Sequence, residues 1–185
     1  MAEYYLVSQL PSLDGLGENA PLPITQERFT ELCGRLFDKK SLGELENLTL
    51  VPPIDGDFAD NDFIGLWNSG ERKLRLALAK VRADKLGKAF DLKNETVSSD
   101  HIKTANAALD IENPMKAELF LLNYRLDFLE TLRPMDSFSK EYVYYYALKL
   151  KLLSRIREFD SKAGQATYKN IYSSVLRGAE SEEKQ

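Results

Sequence analysis

Apolar positions recur with a helical period through most of the chain, most clearly in the stretch 138–160. At 100° per residue, its apolar side chains form two nearly opposite stripes that together span an arc of roughly 200°. The stripes contain Tyr145, Leu148, Leu152, Ile156 and Phe159, and Val143, Tyr146, Leu150 and Leu153. A surface helix needs a narrower stripe. The pattern therefore predicts a central helix with neighbours on two sides.

The helices before this stretch are marked by capping residues. Thr25 is a favourable N-cap, and the apolar positions after it repeat with helical spacing. That spacing makes Cys33 a core residue rather than a reactive thiol. Ser41 and Glu44 match a capping box, which predicts that a short helix begins at Ser41. The segment 4–10 is short enough to be either a strand or a helical turn.

Similar signals predict the remaining helices. They cover 63–67, 71–86, 98–109, 113–132 and 163–177. Gly70 is expected to break the chain between the first two, and Gly87 to close the second. Asn113 followed by Pro114 combines an N-cap with a proline at the first helical position, which is a strong start signal.

These elements predict a mainly α protein, a compact bundle of about seven helices around the central helix. The segment 4–10 is the one candidate for a short N-terminal extended segment. We expect a single helical domain over 1–178, with lobes 1–90 and 98–178 as the alternative division, followed by a polar tail over 179–185.

Composition narrows the class of protein. Of the 185 residues, 43% are hydrophobic and 29% are charged, which is typical of a globular chain with a substantial core. A net charge of −4 gives no overall reason to expect nucleic-acid binding. The single cysteine excludes an internal disulfide and a cysteine-based zinc site, and it fits a reducing cytosol. The N-terminus lacks the features of a signal peptide, and no window approaches 18 uninterrupted apolar residues, so neither secretion nor membrane insertion is expected.

No signature of catalysis is present. The common phosphate-binding, acyl-transfer and zinc-hydrolase motifs are missing, and His101 is the only histidine. We therefore expect no enzyme activity and no cofactor. Four carboxylates in one segment are candidate ligands for Ca²⁺ or Mg²⁺: Asp55, Asp57, Asp60 and Asp62. Their spacing does not follow the EF-hand loop, and the alternative is a solvated acidic loop that caps the following helix.

Two surfaces are candidates for partner binding. The stretch 70–88 contains seven bases and two acids, a local charge of 7 − 2 = +5 in an acidic protein. This segregation suggests a docking face for an acidic partner, with an ordinary solvated face as the alternative. A tyrosine collar, which suits a core edge or an interface, lies at the start of the central helix and consists of Tyr142, Tyr144, Tyr145 and Tyr146. The candidate contact residues are Arg72, Arg75, Arg82, Tyr142, Tyr145 and Lys149.

Four stretches of the chain resemble a bacterial family of uncharacterised proteins whose members are typically encoded among the subunits of V-type ATP synthases. These stretches are MAEYYLVSQLPSL, PLPITQERFTELC, LRLALAKVRADKLG and YYYALKLKLLSRIREFD. The resemblance implies a subunit or assembly factor of the V-type ATPase. It suggests the place of the helical, funnel-shaped component that couples the central rotor shaft to the membrane ring. It also implies a cytoplasmic location at the inner membrane through partner proteins of the same enzyme.

Two other functions stay open. The chain could be a free-standing helical adaptor unrelated to the ATPase, recognised by a contiguous exposed apolar surface. It could also be a metal-binding protein or an enzyme that uses the carboxylates of the acidic segment, recognised by a concave pocket where carboxylates converge.

Overall fold

The structure is a computed structural model that describes residues 2–16, 20–53, 62–92, 95–159 and 171–173. Seven helices are delimited within these residues: α1 (Ala2–Gln9), α2 (Gln26–Leu36), α3 (Lys39–Glu46), α4 (Phe63–Lys85), α5 (Ser99–Leu109), α6 (Pro114–Thr131) and α7 (Lys140–Glu158). Residues 171–173 are also helical, and the described residues contain no strand. The prediction of a mainly helical bundle is confirmed. The rest of the predicted helix 163–177 and the tail 179–185 lie outside the described residues.

Helix α7 is the central helix that its two apolar stripes predicted. It is buried at every position from 143 to 150 and again at Leu152. Helices α1, α2, α3, α4 and α6 all pack against it. A helix surrounded in this way needs apolar side chains on most of its circumference, which explains the wide arc.

The N-terminal segment is a helix, so the extended alternative is not confirmed. Helix α1 packs on α2 and α7. Leu6 is completely buried in the core, and Val7 and Leu10 pack against it. Because these three positions lie on one side of a helix but would alternate across a strand, helical geometry brings all of them to the core.

Side-chain caps begin most helices where the sequence placed them. Thr25, Ser98 and Asn113 accept hydrogen bonds from backbone N–H groups in the first turns of α2, α5 and α6.

The predicted capping box at Ser41 is wrong. Asp38 is the N-cap of α3 and accepts hydrogen bonds from the N–H groups of Lys40 and Ser41. Its carboxylate also accepts a hydrogen bond from the Ser41 hydroxyl, so the serine lies inside the first turn.

The predicted break near Gly70 is also wrong, because α4 is one helix of 23 residues that continues through this position. A methyl group at position 70 would overlap with the ring of Phe128 on α6. Phe128 in turn stacks on Trp67, with ring centroids 6.1 Å apart. Glycine is therefore present at this position because α6 packs closely against α4 there, while the helix itself is uninterrupted. Gly87, with φ of +64°, does end the helix as predicted.

Buried apolar side chains form two clusters. The first surrounds α7, and the second lies between the C-terminal half of α4, α5 and the middle of α6. Helices α4 and α6 contribute to both clusters: Trp67 and Leu122 belong to the first, and Leu74 and Leu121 to the second. The two clusters are therefore joined by continuous helices. None of the helices in the described part of the chain combines the length and the apolar character needed to cross a bilayer.

Candidate functional site

A buried ion pair lies at the level where the two apolar clusters meet. Glu71 on α4 is 2% exposed, and its carboxylate accepts hydrogen bonds from Arg125 on α6. The Nε and Nη2 atoms of Arg125 lie 2.9 and 3.0 Å from the two carboxylate oxygens. Arg75 donates a further hydrogen bond of 2.8 Å to the same carboxylate. The sequence did not reveal this pair, since its members are 54 positions apart and each looks like an ordinary surface charge.

Some basic side chains of α4 are ion-paired within the chain, and others are not. Arg72 makes a two-pronged ion pair with Glu95, with distances of 2.7 and 2.6 Å. Arg75 is held by Glu71. Arg82 is exposed, and it makes no ion pair with the described residues. Of the three predicted contact arginines, two are therefore engaged within the chain, and Arg82 remains available to a partner.

The tyrosine collar belongs mainly to the interior. Tyr144, Tyr145 and Tyr146 are buried, and each hydroxyl finds a partner at the core edge. Tyr144 donates to Glu44, Tyr145 donates to Glu130, and Tyr146 donates to the carbonyl of Pro11. Tyr142 is half-buried, and its ring lies 5.7 Å from that of Tyr145. A partner contact through Tyr145 is therefore not supported.

Lys149 is the centre of a charged cluster that ties three segments together. Its ammonium group donates to Asp14 in the loop after α1, to Glu130 near the end of α6, and to the Tyr145 hydroxyl. Arg133 lies beside both carboxylates and 5.6 Å from the centre of the Tyr145 ring. Because Lys149 is buried and fully engaged, the predicted partner contact through it is not supported either.

The electrostatics of this cluster suit a structural role. Burial alone would lower the pKa of Lys149, but the hydrogen bonds to Asp14 and Glu130 outweigh burial and raise it. Burial, reinforced by the Glu130 carboxylate, raises the pKa of Tyr145 to about 12. A nucleophile or general base needs a lone pair near neutral pH. The raised pKa values keep Lys149 and Tyr145 protonated near neutral pH, and their hydrogen bonds hold the loop after α1, α6 and α7 together.

An exposed group of aromatic side chains, here called the aromatic patch, lies where the start of α1 meets the loop before α7. It consists of Tyr4, Tyr5 and Phe138, which are 53, 59 and 47% exposed. The Tyr4 ring lies 4.7 Å from the Phe138 ring and 5.9 Å from the Tyr5 ring. The sequence contains no signal for the patch, since Phe138 precedes the N-cap Ser139, a position that often packs on its own helix as a hydrophobic staple. Here Phe138 packs on α1 instead.

The C-terminal end of α4 forms a second exposed feature, here called the basic tip. It consists of Arg82, Lys85, Leu86, Lys88 and Phe90, all of which are exposed. Lys85 pairs with Asp110 at 2.8 Å, while Arg82 and Lys88 make no ion pair with the described residues.

A small cleft lies between α2, α3 and α7. Its volume is about 250 Å³, and buried apolar residues such as Phe29 and Leu150 form its floor. Lys151 lies at its edge and donates to the carbonyl of Leu48. Burial lowers the pKa of Lys151. The cleft has room for one large side chain, which is below the usual size of a small-molecule site.

The remaining candidates do not assemble into a centre within the described residues. Asp55, Asp57 and Asp60 lie outside them, and Asp62 is the N-cap of α4, accepting from Gly65 N–H. The described residues contain no group of three side chains suited to holding a metal. Cys33 is completely buried, and burial raises its pKa to about 12, so it is an inert core thiol as predicted. His101 lies 2.6 Å from the Ser98 hydroxyl, and burial lowers its pKa.

Comparison with known proteins adds no relative: no family model, no curated protein and no solved structure matches the chain.

Proposed function

We propose that the chain is a non-catalytic helical subunit or assembly factor of a V-type ATP synthase. It would act through protein contacts at the cytoplasmic face of the membrane, in a place like that of the funnel-shaped component between the rotor shaft and the membrane ring. The identity of the partners in this proposal comes from the sequence resemblance. The kind of activity, binding through a surface, is supported by the features of the fold.

The observation that carries the proposal is the aromatic patch. The Tyr4 ring contacts the rings of Tyr5 and Phe138, and all three stay about half exposed, although the chain has a large apolar core in which to bury them. Exposed apolar clusters of this kind mark binding sites. Tyrosine in particular is enriched among the residues that dominate binding energy. Met135, which is fully exposed in the same loop as Phe138, extends the apolar character of this end.

The interior supports a mechanical role for such a protein. Helices α4 and α6 contribute to both apolar clusters. The Glu71–Arg125 ion pair joins these two helices where the clusters meet. The Lys149 cluster fixes the loop after α1 to α6 and α7. A body joined in this way can carry a force from one contact surface to another without relying on a flexible linker.

The test is recovery of partners from the native cell. The tagged chain is compared with a variant carrying Tyr4→Ser and Phe138→Ser, and bound proteins are quantified by mass spectrometry. We expect the wild-type chain to recover V-type ATP synthase subunits. The variant should recover at least tenfold less of them.

A matched control replaces an exposed apolar residue outside the patch, Val51→Ser, and should recover the subunits at the wild-type level. The proposal fails if the wild-type chain recovers no ATP synthase subunit from cells that plainly contain the enzyme. If the subunits are recovered equally by the wild type and the patch variant, the patch is not the surface that binds them.

A further inference from the structure

We infer that the basic tip of α4 is a second docking surface, which binds an acidic protein surface containing an apolar pocket for Leu86. This inference rests on the proposed function, since it gives a linking protein the second contact that it needs. The occupant is identified by charge and shape at the tip.

The backbone of the tip is closed by a complete Schellman motif. Lys88 N–H donates to the carbonyl of Ala83 at 2.9 Å, and Gly87 N–H donates to that of Asp84 at 3.1 Å. Gly87 supplies the left-handed conformation that this motif requires. The turn is therefore fixed by hydrogen bonds, and its side chains are presented on a fixed backbone. Little backbone entropy would therefore be lost on docking.

Leu86 is presented outward by this turn. Its side chain is 69% exposed. A Schellman motif usually covers itself with an apolar contact between the residue after the glycine and the third residue from the helix end. Here those positions hold Lys88 and Ala83, so no large apolar side chain folds back over the turn. Phe90, four residues after Leu86, is also exposed. The tip thus carries an apolar anchor that its own fold leaves open.

The charges around Leu86 define the partner. Arg82 and Lys88, which lie on either side of Leu86 in the sequence, make no ion pair with the described residues. They stand in contrast to Arg72 and Arg75, which internal carboxylates neutralise. Cations without internal partners around an exposed leucine complement a pocket with carboxylates at its rim.

The acids near the tip favour a protein over a polyanion. Asp84, Asp91 and Asp110 are all exposed in the same region. An anionic bilayer or a nucleic acid would meet these carboxylates together with the bases, which would cancel most of the attraction. A protein surface can place individual carboxylates opposite Arg82 and Lys88 alone. The tip therefore fits a protein partner best.

The tip and the aromatic patch belong to different parts of the molecule. Leu86 follows Trp67 by 86 − 67 = 19 residues, which is about 28 Å along a helix axis. Trp67 and α1 contribute to the first apolar cluster, while the last turns of α4 contribute to the second. One partner can therefore occupy the patch while another occupies the tip.

Photo-crosslinking in the native cell tests the inference. Benzoyl-phenylalanine is placed at position 86 in the full chain, with and without Arg82→Glu and Lys88→Glu, and crosslinked peptides are identified by mass spectrometry. A second chain carries the crosslinker at position 5, within the aromatic patch. We expect position 86 to capture one protein through a peptide of net negative charge. The double charge reversal should lower the yield at least tenfold, and raising the salt concentration should lower it as well.

The control reverses two exposed lysines elsewhere, Lys103→Glu and Lys116→Glu, and should leave the yield unchanged. The inference is overturned if position 86 captures nothing, captures lipid, nucleic acid or a second copy of the chain, or gives a yield that charge reversal does not change. If position 5 captures ATP synthase subunits while position 86 captures nothing, only this inference fails. An acidic peptide from an unrelated protein at position 86 would support the tip surface and contradict the proposed function.

Discussion

At the scale of single residues, the most consequential side chains are the buried Glu71 and Arg125. Taking both charges out of water is costly, and the cost is recovered only because every oxygen of the carboxylate is hydrogen-bonded. Such a pair adds little net stability over an apolar replacement of similar volume. It does set which turn of α4 faces which turn of α6, since any other register would leave a buried charge without its partner.

Removing one member of this pair should therefore lower the free energy of unfolding much more than removing both. We expect Glu71→Gln to lower the free energy of unfolding by about 3 kcal/mol, because Arg125 stays buried without a counter-charge. The double change Glu71→Met with Arg125→Met should cost clearly less. Urea unfolding of the single and double variants measures both quantities. Arg75→Ala serves as control, since Arg75 is exposed and contributes only one of the three hydrogen bonds. A loss in the double variant equal to the sum of the losses from Glu71→Met and Arg125→Met alone would show that the pair is not coupled.

The Lys149 cluster predicts a dependence of stability on acid. The hydrogen bond from Lys149 lowers the pKa of Asp14. For Glu130, burial acts in the opposite direction, but the hydrogen bonds from Lys149 and Tyr145 prevail and lower the pKa. The unfolded values are about 3.9 and 4.3. Stabilisation by these carboxylates is therefore present above about pH 5 and is lost as the pH falls through the lower folded values.

This dependence can be isolated with Lys149→Met, which keeps the length of the side chain and removes its charge. The free energy of unfolding should drop at pH 7, and its further loss between pH 5 and pH 3 should be smaller than in the wild type. Chemical unfolding across this range measures the difference, with Lys116→Met as an exposed control. An unchanged acid profile in the Lys149 variant would mean that other carboxylates govern the acid response.

At the scale of helices, the contact between α4 and α6 depends on a glycine. We expect Gly70→Ala to destabilise the protein by about 1–3 kcal/mol, because the added methyl group displaces the Phe128 ring from Trp67. Gly34→Ala in α2 is the matched control. Apart from the neighbouring backbone of α2 itself, no atom lies within 4 Å of a methyl group there, so the same change should stabilise by roughly 0.5–1 kcal/mol through helix propensity. Thermal and urea unfolding compare the two. Stabilisation by both changes would contradict the close packing at Gly70.

Local signals in the sequence predicted most helix starts correctly. The predictions were wrong where a residue far away in the chain determines the local structure. Thr25, Asn113 and Ser139 cap the helices that follow them, and a cap depends only on its own first turn. Gly70 looked like a breaker because the demand for it comes from Phe128, 58 positions further along the chain. Ser41 matched a capping box by type and spacing, but Asp38, a stronger acceptor three residues earlier, takes that role.

For the candidate contact residues as well, the sequence showed local features but not the distant partners. The charge of α4 was visible in the sequence, but its neutralisation by Glu95 and the role of Glu71 required the fold. Tyr145 and Lys149 were candidates for partner contact because their internal partners, Glu130 and Asp14, come from other segments. The aromatic patch was missed because it forms only when the start of α1 meets Phe138.

At the scale of the whole molecule, the two long helices α4 and α6 connect the two apolar clusters. Helix α7 organises the first cluster, and α4 runs from that cluster to the basic tip. Internal ion pairs join the helices at several levels. Helices joined in this way are what the proposed link between a rotor shaft and a membrane ring would require.

The most direct measurement of the central claim starts from the enzyme rather than from this chain. A V-type ATP synthase is purified from the native cell through a tag on its catalytic subunit, passed through size-exclusion chromatography and quantified by mass spectrometry. We expect this chain to co-elute with the enzyme in a fixed ratio to the rotor-shaft protein. An intact enzyme that elutes without the chain would contradict its place in the assembled complex.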